Sequence, residues 1–147
     1  MFAAGLHGDC CTLLHQAIGT WCQGKSVAWQ GMDDERWEAL AEEARLHGVS
    51  GLLYTLLPDD VPAAVRDTLR SDYQNQLAAN VLYMQKLAQI VPALKNAGVR
   101  FAVVKGAALL ATDYTDMGTR AMKDIDLLVH PEDANILKPV MQQLGWQ

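Results

Sequence analysis

Apolar positions recur at three- and four-residue steps as far as Ala97, and the step changes at Val99. Leu13, Leu14, Ala17, Ile18 and Trp21 share one face of a helix spanning roughly Cys10 to Cys22. GKSVAWQG, 24–31, has glycine at both ends and reads as a loop. Asp33 and Asp34 then offer N-caps and negative charge to the positive end of a second helix. Trp37, Leu40, Ala41, Ala44 and Leu46 form its apolar side, and Glu38, Glu42, Glu43 and Arg45 are expected mostly in water. His47-Gly48 closes it. SGLLYTLL is a short apolar helix ending before Pro58, and Pro62 suits the first turn of a long one.

That long helix carries Val65, Leu69, Tyr73, Leu77, Val81, Met84, Leu87 and Val91 along one stripe. Pro92 is expected to kink it without ending it, because Leu94 and Ala97 keep the phase, and Gly98 is a C-cap. Short loops favour packing on the preceding helices over a coiled-coil partner. From Val99 to Val104 a β-branched and aromatic run signals a strand. Gly106 to Ala111 can form a short helix, DYTDMGTR (113–120) is a polar loop, and Ile125 to Val129 is a second strand. Pro131 opens a last helix that Gly145 ends. The pattern predicts a predominantly helical α+β protein, with a helical region over 1–97 and a mixed α/β part with two strands over 98–147.

Composition narrows the uses. The 147 residues carry a formal net charge of −5, which disfavours a double-stranded nucleic acid as main partner. A small anion held by one or two local cations remains compatible. No run reaches the roughly 18 apolar residues of a membrane span, and MFAAGLHGDCC lacks a basic signal-peptide start, so a cytoplasmic location is expected. Cys10, Cys11 and Cys22 are odd in number and crowded, unlike a disulfide framework. His7, Cys11 and His15 share a helical face, but the outer two lie about 12 Å apart along the axis. That separation favours the plainer reading, small or amphipathic residues on a helix face, over one zinc ion.

Candidate chemistry sits at the mouths of the two strands. Asp124 and Asp126, two apart on a strand, leave the same face while Ile125 and Leu127 point the other way. Their Cα atoms would be ~6.7 Å apart, which lets both carboxylates share hard cations with oxygen ligands. The plainer reading is a solvated strand start with each Asp capping a turn. Lys105-Gly106 adds a compact positive charge and a glycine that lets backbone approach a ligand, just before a helix N-terminus suited to phosphate. For Lys105 alone, the plainer reading is a side chain snorkelling off a strand end. Arg120, four residues before Asp124, could pair with carboxylate or phosphate. An EF-hand over Asp113–Asp124 fails, since its third and fifth positions would be Thr115 and Met117.

These residues carry a resemblance. KGAALL, YTDMGTR and KDIDLLV, with EARLHGVSGLLY and LKNAGVRFAVVKG before them, resemble the uncharacterised nucleotidyltransferase family of the DNA polymerase β-like superfamily, over about residues 35–146. The resemblance implies that the mixed part is a partial nucleotidyltransferase core. It implies phosphate contacts from Lys105 and Gly106 and Mg²⁺ ligands at Asp124 and Asp126, which would be the catalytic pair. Arg120 matches the arginine ahead of D-x-D. The implied activity is Mg²⁺-dependent transfer of NMP from an NTP to an acceptor. Two departures stand out: Lys-Gly replaces the superfamily's usual Gly-Ser, and the third carboxylate expected on a later strand has no counterpart in the 21 residues after Asp126. The chain is therefore expected to be the first half of such a protein and to bind nucleotide better than it turns it over. The alternative is a non-catalytic interaction module, homo-oligomeric through a strand edge or the long helix, because two strands alone make a poor sheet.

Overall fold

The structure is a computed structural model that describes the backbone of residues 4–146 and the side chains from residue 8 onward. The readings made above for the first three residues, the His7 side chain and Gln147 lie outside it. Six α-helices and one two-stranded sheet follow one another among the described residues. They are α1 (Ala4–Cys22), α2 (Asp34–Leu46), α3 (Ser50–Leu56), α4 (Ala63–Asn96), β1 (Phe101–Val104), α5 (Lys105–Thr112), β2 (Asp126–Val129) and α6 (Ala134–Gln143). Short 3-10 turns stand at Met117–Thr119 and Pro131–Asp133. The expected class, mostly helical with two strands, is the one observed. None of the described helices is long and apolar enough to cross a membrane.

The chain divides into two compact units. The first runs to Gln76 and takes in Gly118–Arg120; the second holds Leu77–Met117 and the chain from Ala121.

In the first unit Asp33 caps α2, its Oδ1 accepting from the Arg36 N–H at 2.9 Å. Leu14 of α1, Trp37, Leu40 and Ala44 of α2, Leu53 of α3, and Val65 and Leu69 of α4 make one core. Two expectations for α2 need correction. Leu46 is 70% exposed, and Glu43 is buried. At about 100° per residue Leu46 stands half a turn from Trp37. Glu43 follows Ala39 by four positions on a second buried side of α2, the side that α1 covers: there Cys10 Sγ reaches the Arg36 carbonyl and Cys11 Sγ reaches His47. An amphipathic pattern with one face cannot reveal a helix buried on two. α3 approaches Gly118 so closely that a Cβ on Gly51 would stand 2.0 Å from the Gly118 carbonyl oxygen.

In the second unit α4 passes through Pro92 unbroken and closes at Gly98, whose φ is +72°. The Gly98 and Val99 N–H groups return to the carbonyls of Lys95 and Leu94. Val99 is thus tied to the helix end, and β1 begins only at Phe101. The expected stripe slips at Val81, which is 38% exposed, while Asn80 beside it is fully buried. Four successive four-residue steps from Val65 drift about 160° around the axis, which carries Val81 off the covered side. Asn80 takes its place and donates from Nδ2 to the Met117 carbonyl at 2.7 Å.

β1 and β2 pair antiparallel, with Phe101 opposite Val129 and Val104 opposite Asp126. Leu87, Ala107, Leu110 and Met122 form one apolar cluster of this unit, and Ile90, Leu94 and Val99 a second, joined by Leu137, Val140 and Leu144 around α6. Ile125 and Leu127 reach both. The approach to the sheet is fixed by Arg100, whose backbone N–H and guanidinium donate to the buried Asp133 carboxylate at 2.8–3.0 Å. These bonds hold the Asp133 carboxyl down at about 2 and raise Arg100 further above its already high value. α6 starts at Ala134, after the turn that Pro131 opens, and Gly145 follows it with φ +82°.

Candidate functional site

The strand-to-helix turn at Val104-Lys105 builds the site. Val104 is extended, and Lys105, the first residue of α5, has a φ of +54°. No other non-glycine residue among those described lies in the left-handed region. For an L-residue with a long side chain that conformation costs about 1–2 kcal/mol. Strain of this kind gathers where a side chain must be aimed, and here it aims an ammonium. Lys105 Nζ donates to Asp126 Oδ1 at 2.9 Å, across the register that sets Val104 against Asp126.

Gly106, the next residue, also leaves room for a neighbour. It is the side chain of Met122, buried beneath it, that needs the missing Cβ: an added carbon would stand 3.1 Å from Met122 Cγ. The positive φ of this turn falls one residue earlier, at Lys105.

The carboxylate segment is pinned from below. Tyr83 Oη donates to the Lys123 carbonyl at 2.7 Å. Met122 is buried, and Ile125 packs into the apolar clusters. Between them Asp124 is exposed and Asp126 half-buried. Asp124 does not lie on β2, which begins at Asp126, so the expectation that one strand carries both carboxylates is corrected. The alternation nevertheless persists, with Ile125 and Leu127 inward. Both acids act on Lys105. Its pKa is raised by the hydrogen bond to Asp126, then by that carboxylate's charge, with a smaller contribution from the charge of Asp124. Lys105, Gly106, Asp124 and Asp126 are therefore one neighbourhood. Arg120 belongs to the first unit, where its carbonyl accepts from Gln76 Nε2.

Tyr83, Met122 and Asn80 do supporting work that the apolar stripe left unassigned. Nothing in their local sequence marks Tyr83 or Met122, and Asn80 is one of several amides along α4, so its own burial was not legible either.

The exposed Asp124 and half-buried Asp126 carboxylates offer oxygen donors only, the set that suits a hard divalent cation. Lys105 rests its positive charge on one of them. The lysine's side chain is 71% exposed and can turn away from Asp126. A lysine and two aspartates are thus gathered where the two strands of a mostly helical protein meet the loops. The chain belongs to the uncharacterised nucleotidyltransferase family, whose model matches residues 33–147. No curated protein and no solved structure matches it.

Proposed function

We propose that this chain binds a nucleoside triphosphate with Mg²⁺ at the Lys105–Asp126 turn, in the service of NMP transfer to an acceptor. One observation supports this above others: a strained left-handed lysine is held against a carboxylate beside a second acid, at the start of a helix. Asp124 and Asp126 would hold the ion. Bound Mg²⁺ supplies neutralisation of the phosphate oxygens and polarisation of the α-phosphate.

The chain's own residues do the rest. Lys105 turns from Asp126 to the phosphates that will leave, and N–H groups at the start of α5 add donors and a partial positive charge. In the transfer, an acceptor oxygen bonds to the α-phosphorus, the bond to the β-phosphate bridging oxygen breaks, and pyrophosphate leaves with the negative charge. The acceptor's proton passes to solvent. The free thiols of Cys10, Cys11 and Cys22 fit a reducing cytoplasmic setting.

Lys105→Ala tests the phosphate role. Binding of a fluorescent NTP with Mg²⁺ should weaken about tenfold or more, the loss expected of one charge-assisted contact. Unchanged affinity in the folded variant would remove Lys105 from the site.

A second reading has its own observation. Each strand has one neighbour among the described residues, and Leu128 is 66% exposed beside the open edge. As a non-catalytic interaction module the chain would pair with another copy through that edge or α4. Size-exclusion light scattering would then show a dimer or larger species, and a monomer at high micromolar concentration would contradict it.

A further inference from the structure

α1 and α2 bring together a second group of ligand-bearing side chains, in the first unit. Cys11 Sγ, on α1, lies 3.8 Å from His47 Nε2, at the C-terminal cap of α2. His47 Nε2 lies 3.6 Å from Glu43 Oε2. One donor atom from each of the three residues lies within 4.8 Å of the others. Glu43 is buried, Cys11 half-buried and His47 exposed, so the group has a closed floor and an open side.

The spacing is informative. Around a tetrahedral zinc ion a sulfur and a nitrogen stand about 3.5–3.6 Å apart, and a nitrogen and an oxygen about 3.3–3.5 Å. The separations here, 3.8 Å for Sγ to Nε2 and 3.6 Å for Nε2 to Oε2, exceed such edges by only a few tenths of an ångström. A catalytic Cys-His-acid relay would need the acid on the far ring nitrogen of the imidazole. Here thiol and carboxylate both face Nε2. Three donors thus surround one point in place of forming a line.

We propose that Cys11, Glu43 and His47 form a binding site for a divalent transition-metal ion of the zinc class. A thiolate, a carboxylate and a neutral imidazole supply two negative charges, which such an ion balances, and the soft sulfur selects it over Mg²⁺. His15 borders the group, its Nδ1 2.8 Å from the Cys11 carbonyl and 3.6 Å from Cys11 Sγ, and its ring packs edgewise on His47. With Nδ1–H donated to that carbonyl, His15 keeps Nε2 as an acceptor. The site joins α1, which precedes the stretch matched by the family model, to α2 within it. An ion here clasps the two helices and is independent of the Lys105 turn.

Co²⁺ titration of the full chain under reducing conditions tests the proposal. A thiolate-to-cobalt charge-transfer band in the near ultraviolet should grow with tetrahedral visible bands to one equivalent, and stoichiometric Zn²⁺ should abolish both while Mg²⁺ does not. Carboxylate sites such as Asp124 and Asp126 cannot give the charge-transfer band. Cys11→Ser should lose that band, and Cys22→Ser should keep it. Glu43→Gln and His47→Gln should each weaken Co²⁺ binding tenfold or more, with helicity by circular dichroism reporting the fold. No charge-transfer band at excess Co²⁺, a band that survives Cys11→Ser, or unchanged affinity in both other variants would overturn the site.

Discussion

At the scale of single residues, charge placement decides most of what can be tested. Asp133 is the clearest case. Its carboxyl is held at about 2, against an ordinary 3.8, chiefly by the Arg100 guanidinium and then by the Arg100 backbone N–H. A carboxyl depressed on folding stabilises fully above its unfolded value and loses that contribution as pH falls through its folded one. The stability tied to Asp133 is therefore present at neutral pH and disappears between about 3.8 and about 2. Asp133→Asn should melt below the wild type at pH 7, and the gap should narrow through that window. A gap that stayed constant into acid would contradict the assignment. Lys105 shows the opposite economy: its surface ion pair with Asp126 adds little to stability. Its left-handed backbone costs more than that, so its position is better explained by a ligand than by the fold.

At the scale of elements, close approaches separate two glycines of unequal importance. A methyl on Gly51 would overlap backbone, the Gly118 carbonyl at 2.0 Å, and backbone cannot step aside. A methyl on Gly106 meets the flexible end of Met122 at 3.1 Å. Gly51→Ala should cost ~3 kcal/mol and Gly106→Ala ~1 kcal/mol by urea denaturation. Equal midpoints for the two variants would refute the ranking. Neither approach could be read from the sequence, because both depend on contacts between distant segments. The elements themselves were legible where period and caps agreed: the Asp33 cap, α3 before Pro58, the Gly98 closure and the two strands. Legibility failed where a helix is covered on two sides, as at Glu43, and where phase drifts along a long helix, as at Val81. The strand mouths were legible as a place of gathered charge, from Lys105 and the D-x-D pair. That the lysine and not the glycine bears the strained conformation was not, since Gly106 offered the cheaper solution.

At the scale of the whole molecule, membership of the nucleotidyltransferase family and the local geometry at Lys105 both support the proposal that nucleotide and Mg²⁺ bind together. Binding to the folded state alone raises its stability by mass action, and ~100 times the dissociation constant adds about 2.7 kcal/mol. Binding anywhere in the chain contributes to that shift, so the substitution must carry the assignment. The metal group of Cys11, Glu43 and His47 gives no dependence on Asp126, and EDTA-treated protein keeps the two apart. Thermal unfolding is then the most direct measurement, with each NTP, with and without Mg²⁺, on wild type and on Asp126→Asn. A Mg²⁺-dependent rise in melting temperature that Asp126→Asn abolishes is the predicted result. No shift with any nucleotide in the folded wild-type protein, or an equal shift in the variant, would contradict the account.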